Sequence, residues 1–344
     1  MGAKIINIIS KCAVTNKVNG PAKVFRNLVK GLSLCGYQYT INQKPSSKYT
    51  NYIHDDISSL IVTPRGLPLV IGPNIFSSPK DIPGSISLDS ILLLQPSDWT
   101  IKGWINTGYT TYPMKKWPVG IDTYKFSPIN GKSSNKISIL VMYKDYLNKP
   151  ALPYLDNILK SLYSHNITVH LRIYGYYSDV EYQHLLQGVS GCLWYGMSES
   201  QGIGLLEALS TNVPILAINM DTPVLWNNNS GLNSNLKTST APYFSRDCGL
   251  LLPYNDAIAS IPFFLSSLSN YSPRQYILDN LSLERQATEF VKIVQNWTNC
   301  SVLKTQPVPY HEISSLNTKL FSPPYFSLFS KLKRFSLERF PKLQ

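Results

Sequence analysis

Two glutamates eight positions apart carry the clearest chemical signal in this chain. They lie in Tyr195-Gly196-Met197-Ser198-Glu199-Ser200-Gln201-Gly202-Ile203-Gly204-Leu205-Leu206-Glu207, followed by Ala208-Leu209-Ser210-Thr211-Asn212-Val213-Pro214-Ile215. The pattern reads as a strand ending near Tyr195, a loop with Glu199 and Gly202, and an apolar helix from Ile203. Glu207 is the one charge on that helix. A carboxylate placed there is costly to bury unless something pairs with it, and sugar hydroxyls are suitable donors. The amides of Gly202, Ile203 and Gly204 open the helix, where a partial charge of roughly +0.5 suits a phosphate. The same residues also fit a helix cap at Glu199 and a satisfied core carboxylate at Glu207. Spacing does not choose between the two.

The elements around this segment alternate from end to end. Ile5–Ile9 reads as a buried strand, and residues 21–34 as a helix opened by Gly20-Pro21. Short apolar runs follow at 37–42, 52–54, 67–71 and 91–95. Residues 130–135, rich in Asn, Gly and Ser, make the best linker. A second set has strands expected at 137–143, 168–174, 191–195, 214–218 and 249–252. Its helices are expected at 152–165, 179–186, 203–210 and 255–268. Continuous apolar strands separated by helices predict parallel sheets covered on both faces. Two such units, a reasonable number for 344 residues, place a cleft where the carboxyl ends of the strands converge.

Composition sets outer bounds. No apolar run approaches the length of a membrane span. The net charge of +12 favours anionic partners without choosing among them. Cys12, Cys35, Cys192, Cys248 and Cys300 form no CxxC pair, so reduced thiols in a cytoplasmic protein are expected, not a zinc site or a disulfide framework. No Asp-x-Asp triplet occurs, and Asp55-Asp56 has the wrong spacing, so neither a metal nor another cofactor is expected. His54, just before that pair, stands at a strand end that could border the cleft.

The Glu199–Glu207 segment resembles the Glu-x7-Glu signature of retaining GT-B glycosyltransferases, particularly the large family 4. The resemblance covers roughly residues 1–300. It implies two Rossmann-like α/β domains facing a central cleft. Residues 1–125 would form the acceptor-side domain, 126–135 the linker, 136–282 the nucleotide-sugar domain and 283–300 a C-terminal helix. It implies that Glu199 faces the donor sugar and that Glu207 bonds the ribose, with Gly202, Ile203 and Gly204 at the phosphates. Asn19-Gly20-Pro21-Ala22-Lys23-Val24 resembles the family's first glycine loop, where a small residue such as Gly20 lets backbone approach the ligand. Trp117-Pro118-Val119-Gly120-Ile121-Asp122 is similar to its interdomain crossing, and Ile71-Gly72-Pro73-Asn74 to a segment bordering the acceptor.

The resemblance also implies basic residues after the first strand of the second domain, to stabilise the departing diphosphate. Here these are Lys144, where the family usually has an arginine, and Lys149; a point charge replaces a bidentate fork. Met220-Asp221-Thr222-Pro223 replaces the family's usual Gly-Gly turn. The function implied is metal-independent, retaining transfer of a sugar from a nucleotide-sugar donor to a hydroxyl on a glycan, lipid or other acceptor. Two alternatives stay open: a DNA-modifying glucosyltransferase, disfavoured because basic residues do not concentrate near the cleft, and a catalytically idle GT-B binding module. Residues 301–344 form a basic aromatic tail of net charge +5 outside the resemblance. It could pack on the N-terminal domain, bind weakly to an anionic membrane surface, or remain disordered.

Overall fold

The computed structural model describes residues 2–14, 19–84, 86, 89–108, 112–129, 136–144, 152–196, 198–219 and 236–316. The candidate Lys149, the linker at 130–135, the turn at 220–223 and the tail beyond 316 lie outside the described residues. Two parallel sheets organise the rest. The first holds β1 (Ile5–Ile9), β2 (Tyr39–Ile41), β3 (Tyr49–Ile53), β4 (Leu69–Ile71), β5 (Ile91–Gln95) and β6 (Met114–Lys116), in the order β2-β1-β3-β4-β5-β6. The second holds β7 (Ser138–Lys144), β8 (Thr168–Ile173), β9 (Gly191–Gly196), β10 (Ile215–Asn219) and β11 (Gly249–Leu252), ordered β11-β10-β9-β7-β8. Every pairing is parallel. The strands are continuous apolar runs because helices cover both faces.

With the first sheet go α1 (Gly20–Leu34), α2 (Ile57–Ile61) and α3 (Asp98–Asn106). With the second go α4 (Leu152–Tyr163), α5 (Asp179–Gly188), α6 (Ile203–Ser210), α7 (Tyr254–Ala259), α8 (Ile261–Ser266) and α9 (Pro273–Leu281). The single helix expected over 255–268 is two, broken at Ser260 ahead of Pro262, whose missing N–H cannot continue a helix. The chain then crosses back. In α10 (Leu283–Thr298), Ala287, Phe290, Val291 and Val294 share one core with Ile6, Ile8, Phe25 and Leu28.

Part of the stretch assigned to the tail belongs to this fold. Lys4 N–H donates to Ser301 O and Leu303 N–H to Lys4 O, and Val302 is buried. The short helix α11 (Tyr310–Leu316) buries Ile313 and stacks Tyr310 on Tyr124 at 4.4 Å.

Each sheet has one place where its order reverses, between β1 and β3 and between β7 and β9. Loops leaving the carboxyl ends there diverge and leave a crevice. After β1 come Ser10 and the start of α1; Lys144 is the last residue of β7, and the Glu199 loop follows β9. The two crevices face each other, so this topology positions the site.

The crossing of α10 over α1 depends on Gly31. A Cβ there would lie 2.6 Å from Leu283 O and 2.9 Å from the Ala287 Cβ. In an isolated helix Gly→Ala is stabilising by about 1 kcal/mol. Gly31→Ala is instead expected to destabilise by about 1–3 kcal/mol through overpacking. Urea denaturation measures the sign.

Candidate functional site

Glu199 sits in the β9–α6 loop, 7% exposed. Lys144 at the end of β7 reaches it because β7 and β9 are neighbours: Lys144 Nζ donates to Glu199 Oε1 at 2.7 Å. The same ammonium lies 4.2 Å from the centre of the Tyr174 ring. Burial pushes the Glu199 carboxyl above its ordinary value, and Lys144 opposes that rise. The loop is pinned from the other domain. Trp99 Nε1 donates to Glu199 O at 2.9 Å, and the Gln201 side chain bonds both the N–H and C=O of Val119.

Glu207 is in the second turn of α6, 2% exposed. Gly202 caps that helix at φ +80°, in the left-handed region open to glycine. A Cβ on Gly204 would already meet Trp194 at 3.3 Å, and the Tyr182 hydroxyl donates to Gly204 O. Ile203 packs against the cores of both domains, so its role here is apolar as well as at the helix start. No side chain among the described residues caps the N-terminus of α6.

The partner of Glu207 was not foreseen. Lys23, in the first turn of α1, donates to Glu207 Oε1 and Oε2, both at 2.8 Å. It also meets Asp179 Oδ1 at 2.8 Å, and Lys125 meets Asp179 Oδ2 at 3.0 Å. Burial pushes the Glu207 carboxyl up to about 7, with Lys23 as the main opposing influence. Burial alone would lower the Lys23 ammonium, but Glu207 and Asp179 outweigh it and the net shift is upward. Lys23 was visible in the glycine-loop segment, three residues after Gly20. Nothing local in sequence couples it to a carboxylate 184 positions away.

Gly20 opens α1, whose N-cap Asn19 accepts from Ala22 N–H at 3.0 Å. Among the described residues, a Cβ built on Gly20 would meet nothing within 4 Å, so none of them demands glycine there. His54 is buried after β3, and its Nε2 donates to Pro21 O at 2.8 Å. Its other nitrogen faces the Tyr52 hydroxyl and Gly72 O, and burial lowers its pKa. It braces the start of α1 from below.

Among the described residues, Cys12, His54 and Asp55 form a grouping with the ligand atoms to hold a metal ion, within 4.8 Å of one another. Their hydrogen bonds argue for a braced loop. Asp55 accepts from Ser10 Oγ, Lys11 N–H and the Cys12 thiol, and the thiol is pushed up to about 12. None of the five cysteines forms a disulfide.

No protein-family model matches the chain, and no curated protein matches its sequence. Solved structures do match its shape. Sucrose-phosphate synthase from Thermosynechococcus elongatus aligns over 85% of this chain and 98% of its own, at 10% identity and TM-score 0.55. The catalytic domain of starch synthase IV from Arabidopsis thaliana aligns over 87% and 100%, at 9% and 0.53. WaaG, a glycosyltransferase involved in lipopolysaccharide biosynthesis, aligns over 84% and 99%, at 13% and 0.50. The fold is GT-B, as expected.

Lys144→Met is expected to destabilise the chain by about 3–5 kcal/mol, because it leaves Glu199 buried without its cation. Replacing Glu199 with Gln in the same chain should recover much of that loss in urea denaturation.

Proposed function

We propose that this chain is a retaining glycosyltransferase that moves a sugar from a nucleotide-sugar donor to a hydroxyl on a glycan or lipid-linked acceptor, without a metal. The observation that carries the reading is the placement of Glu199 and Glu207. On a GT-B fold, both stand buried at the switch point of the second sheet, each held by a lysine. Glu207 is the ribose ligand in this reading, Glu199 faces the sugar, and the N-terminus of α6 faces the diphosphate. Lys144, with Lys149, neutralises charge on the departing diphosphate. The anomeric carbon–oxygen bond breaks with its electron pair going to the diphosphate. The acceptor oxygen bonds to the same face of that carbon, and its proton passes to the departing phosphate oxygen.

The structural neighbours support a transferase through their fold. WaaG acts in lipopolysaccharide biosynthesis and the starch synthase domain was solved with ADP and acarbose, which fits a nucleotide-linked donor and a glycan-type acceptor. No helix among the described residues is long and apolar enough to cross a membrane. We place the chain in the cytoplasm, with the basic aromatic tail as a route to weak anionic-membrane contact.

One observation favours a second reading, an idle GT-B binding module: Glu199 and Glu207 each already have a lysine partner without ligand. A panel of nucleotide sugars separates the two. Donor hydrolysis or transfer is expected with at least one, and none turned over by folded protein would favour the idle module. Glu207→Gln should weaken binding of that donor by about 1.5–3 kcal/mol. Lys149→Met should lower kcat more than it raises KM, because leaving-group charge grows in the transition state; a KM effect alone would confine Lys149 to the ground state.

A further inference from the structure

Glu207 is buried, so its carboxylate must always be met by donors. In this structure the donor is Lys23, from the opposite domain. Its ammonium has three protons and meets three carboxylate oxygens at 2.8 Å: both of Glu207 and one of Asp179. The two bonds to Glu207 fill the fork between its oxygens, so this ammonium and a pair of vicinal hydroxyls exclude each other there. The buried Phe126 ring, 5.8 Å from the ammonium, closes the contact on another side.

Asp179 gives the ammonium a second place to rest. It stands in the first turn of α5, where a helix N-terminus favours a carboxylate, and Lys125 meets its other oxygen at 3.0 Å. Its side chain is 21% exposed, against 3% for Glu207. Burial raises the Asp179 carboxyl, but Lys23 and Lys125 outweigh it and the net shift is downward. At Glu207 burial wins. Asp179 is therefore the carboxylate that holds its charge more readily, and Lys23 can release Glu207 while keeping Asp179. Two hydroxyl donors arriving at Glu207 would replace the two N–H donors that leave, so its oxygens stay met through the exchange.

We propose that Lys23 is an autoinhibitory plug in the donor site: its ammonium occupies the Glu207 fork that the donor's ribose hydroxyls take, and it withdraws to Asp179 when a donor binds. This rests on the reading of Glu207 as the ribose ligand. A donor then binds only the fraction of molecules in which Lys23 has let go, and the apparent affinity falls by that fraction. Lys23 stands on α1 and Glu207 on α6, so the plug is in place only while the two domains are closed on each other. The nucleotide and the closed interdomain contact oppose each other, and each weakens the other by the same factor.

The test uses the full chain with UDP, GDP and ADP, titrated by calorimetry at pH 8. Lys23→Met is expected to bind at least one of them about tenfold or more tighter than the natural chain, since a competent state held at about 10% or less is released. That gain should vanish when Glu207→Gln is added, because the plug then has no carboxylate to hold. Unchanged or weaker binding in Lys23→Met overturns the proposal, and so does a gain that survives Glu207→Gln. Should Lys23→Met fail to fold, amine acetylation of the natural chain, read at Lys23 by mass spectrometry, takes its place. Saturating nucleotide is expected to speed that labelling severalfold by breaking two of the three bonds of the ammonium, and an unchanged or slower rate overturns the proposal. If neither chain binds any of the nucleotides, the donor reading falls and this proposal with it. Binding by the natural chain with no gain in the variant removes the plug alone.

Discussion

A carboxylate taken out of water must be met by a donor or give up its charge, and this requirement organises the cleft. Glu199 and Glu207 are both almost fully buried, and burial pushes both carboxyls upward. Each is met by one lysine, and the two lysines come from different places. Lys144 stands on the strand beside the one that leads to Glu199, within the same domain. Lys23 stands on the first helix of the other domain. The first pair therefore stabilises a domain, and the second stabilises an arrangement of two domains. Replacing a buried ion pair with apolar groups is often neutral in stability, so such pairs are better understood through what they position.

The parallel topology makes both pairs feasible. Reversal of strand order between β7 and β9 sends consecutive loops to opposite faces and leaves Lys144 and Glu199 at the lip of one crevice. Reversal between β1 and β3 leaves the start of α1 at the lip of the other. The return of α10 to pack on α1, with Gly31 allowing the close approach, ties the end of the second unit to the first. The Lys23–Glu207 contact is thus held from behind by an apolar core. It does not have to hold the domains together alone.

Much of this was legible in the sequence, for local reasons. The Glu199–Glu207 segment encodes its own strand, loop and helix, and α6 spans the residues that the apolar run indicates. Alternating apolar runs gave the two parallel sheets. What could not be read was partnership over distance. Lys23 was one lysine among many, and its carboxylate lies 184 residues away on a different domain. His54 stood at the expected strand end, yet its ring is spent on Pro21, Tyr52 and Gly72, contacts that only the fold creates. Residues 301–316 carried a tail-like composition, and their pairing with Lys4 and Gly36 has no local signature.

Lys23 and Glu207 act as one unit across the cleft. A double-mutant cycle of Lys23→Met and Glu207→Gln, followed by urea denaturation at pH 8, tests it most directly. The two losses are expected not to add, with a coupling of about 1–3 kcal/mol. Losses that add to within about 0.5 kcal/mol would contradict it.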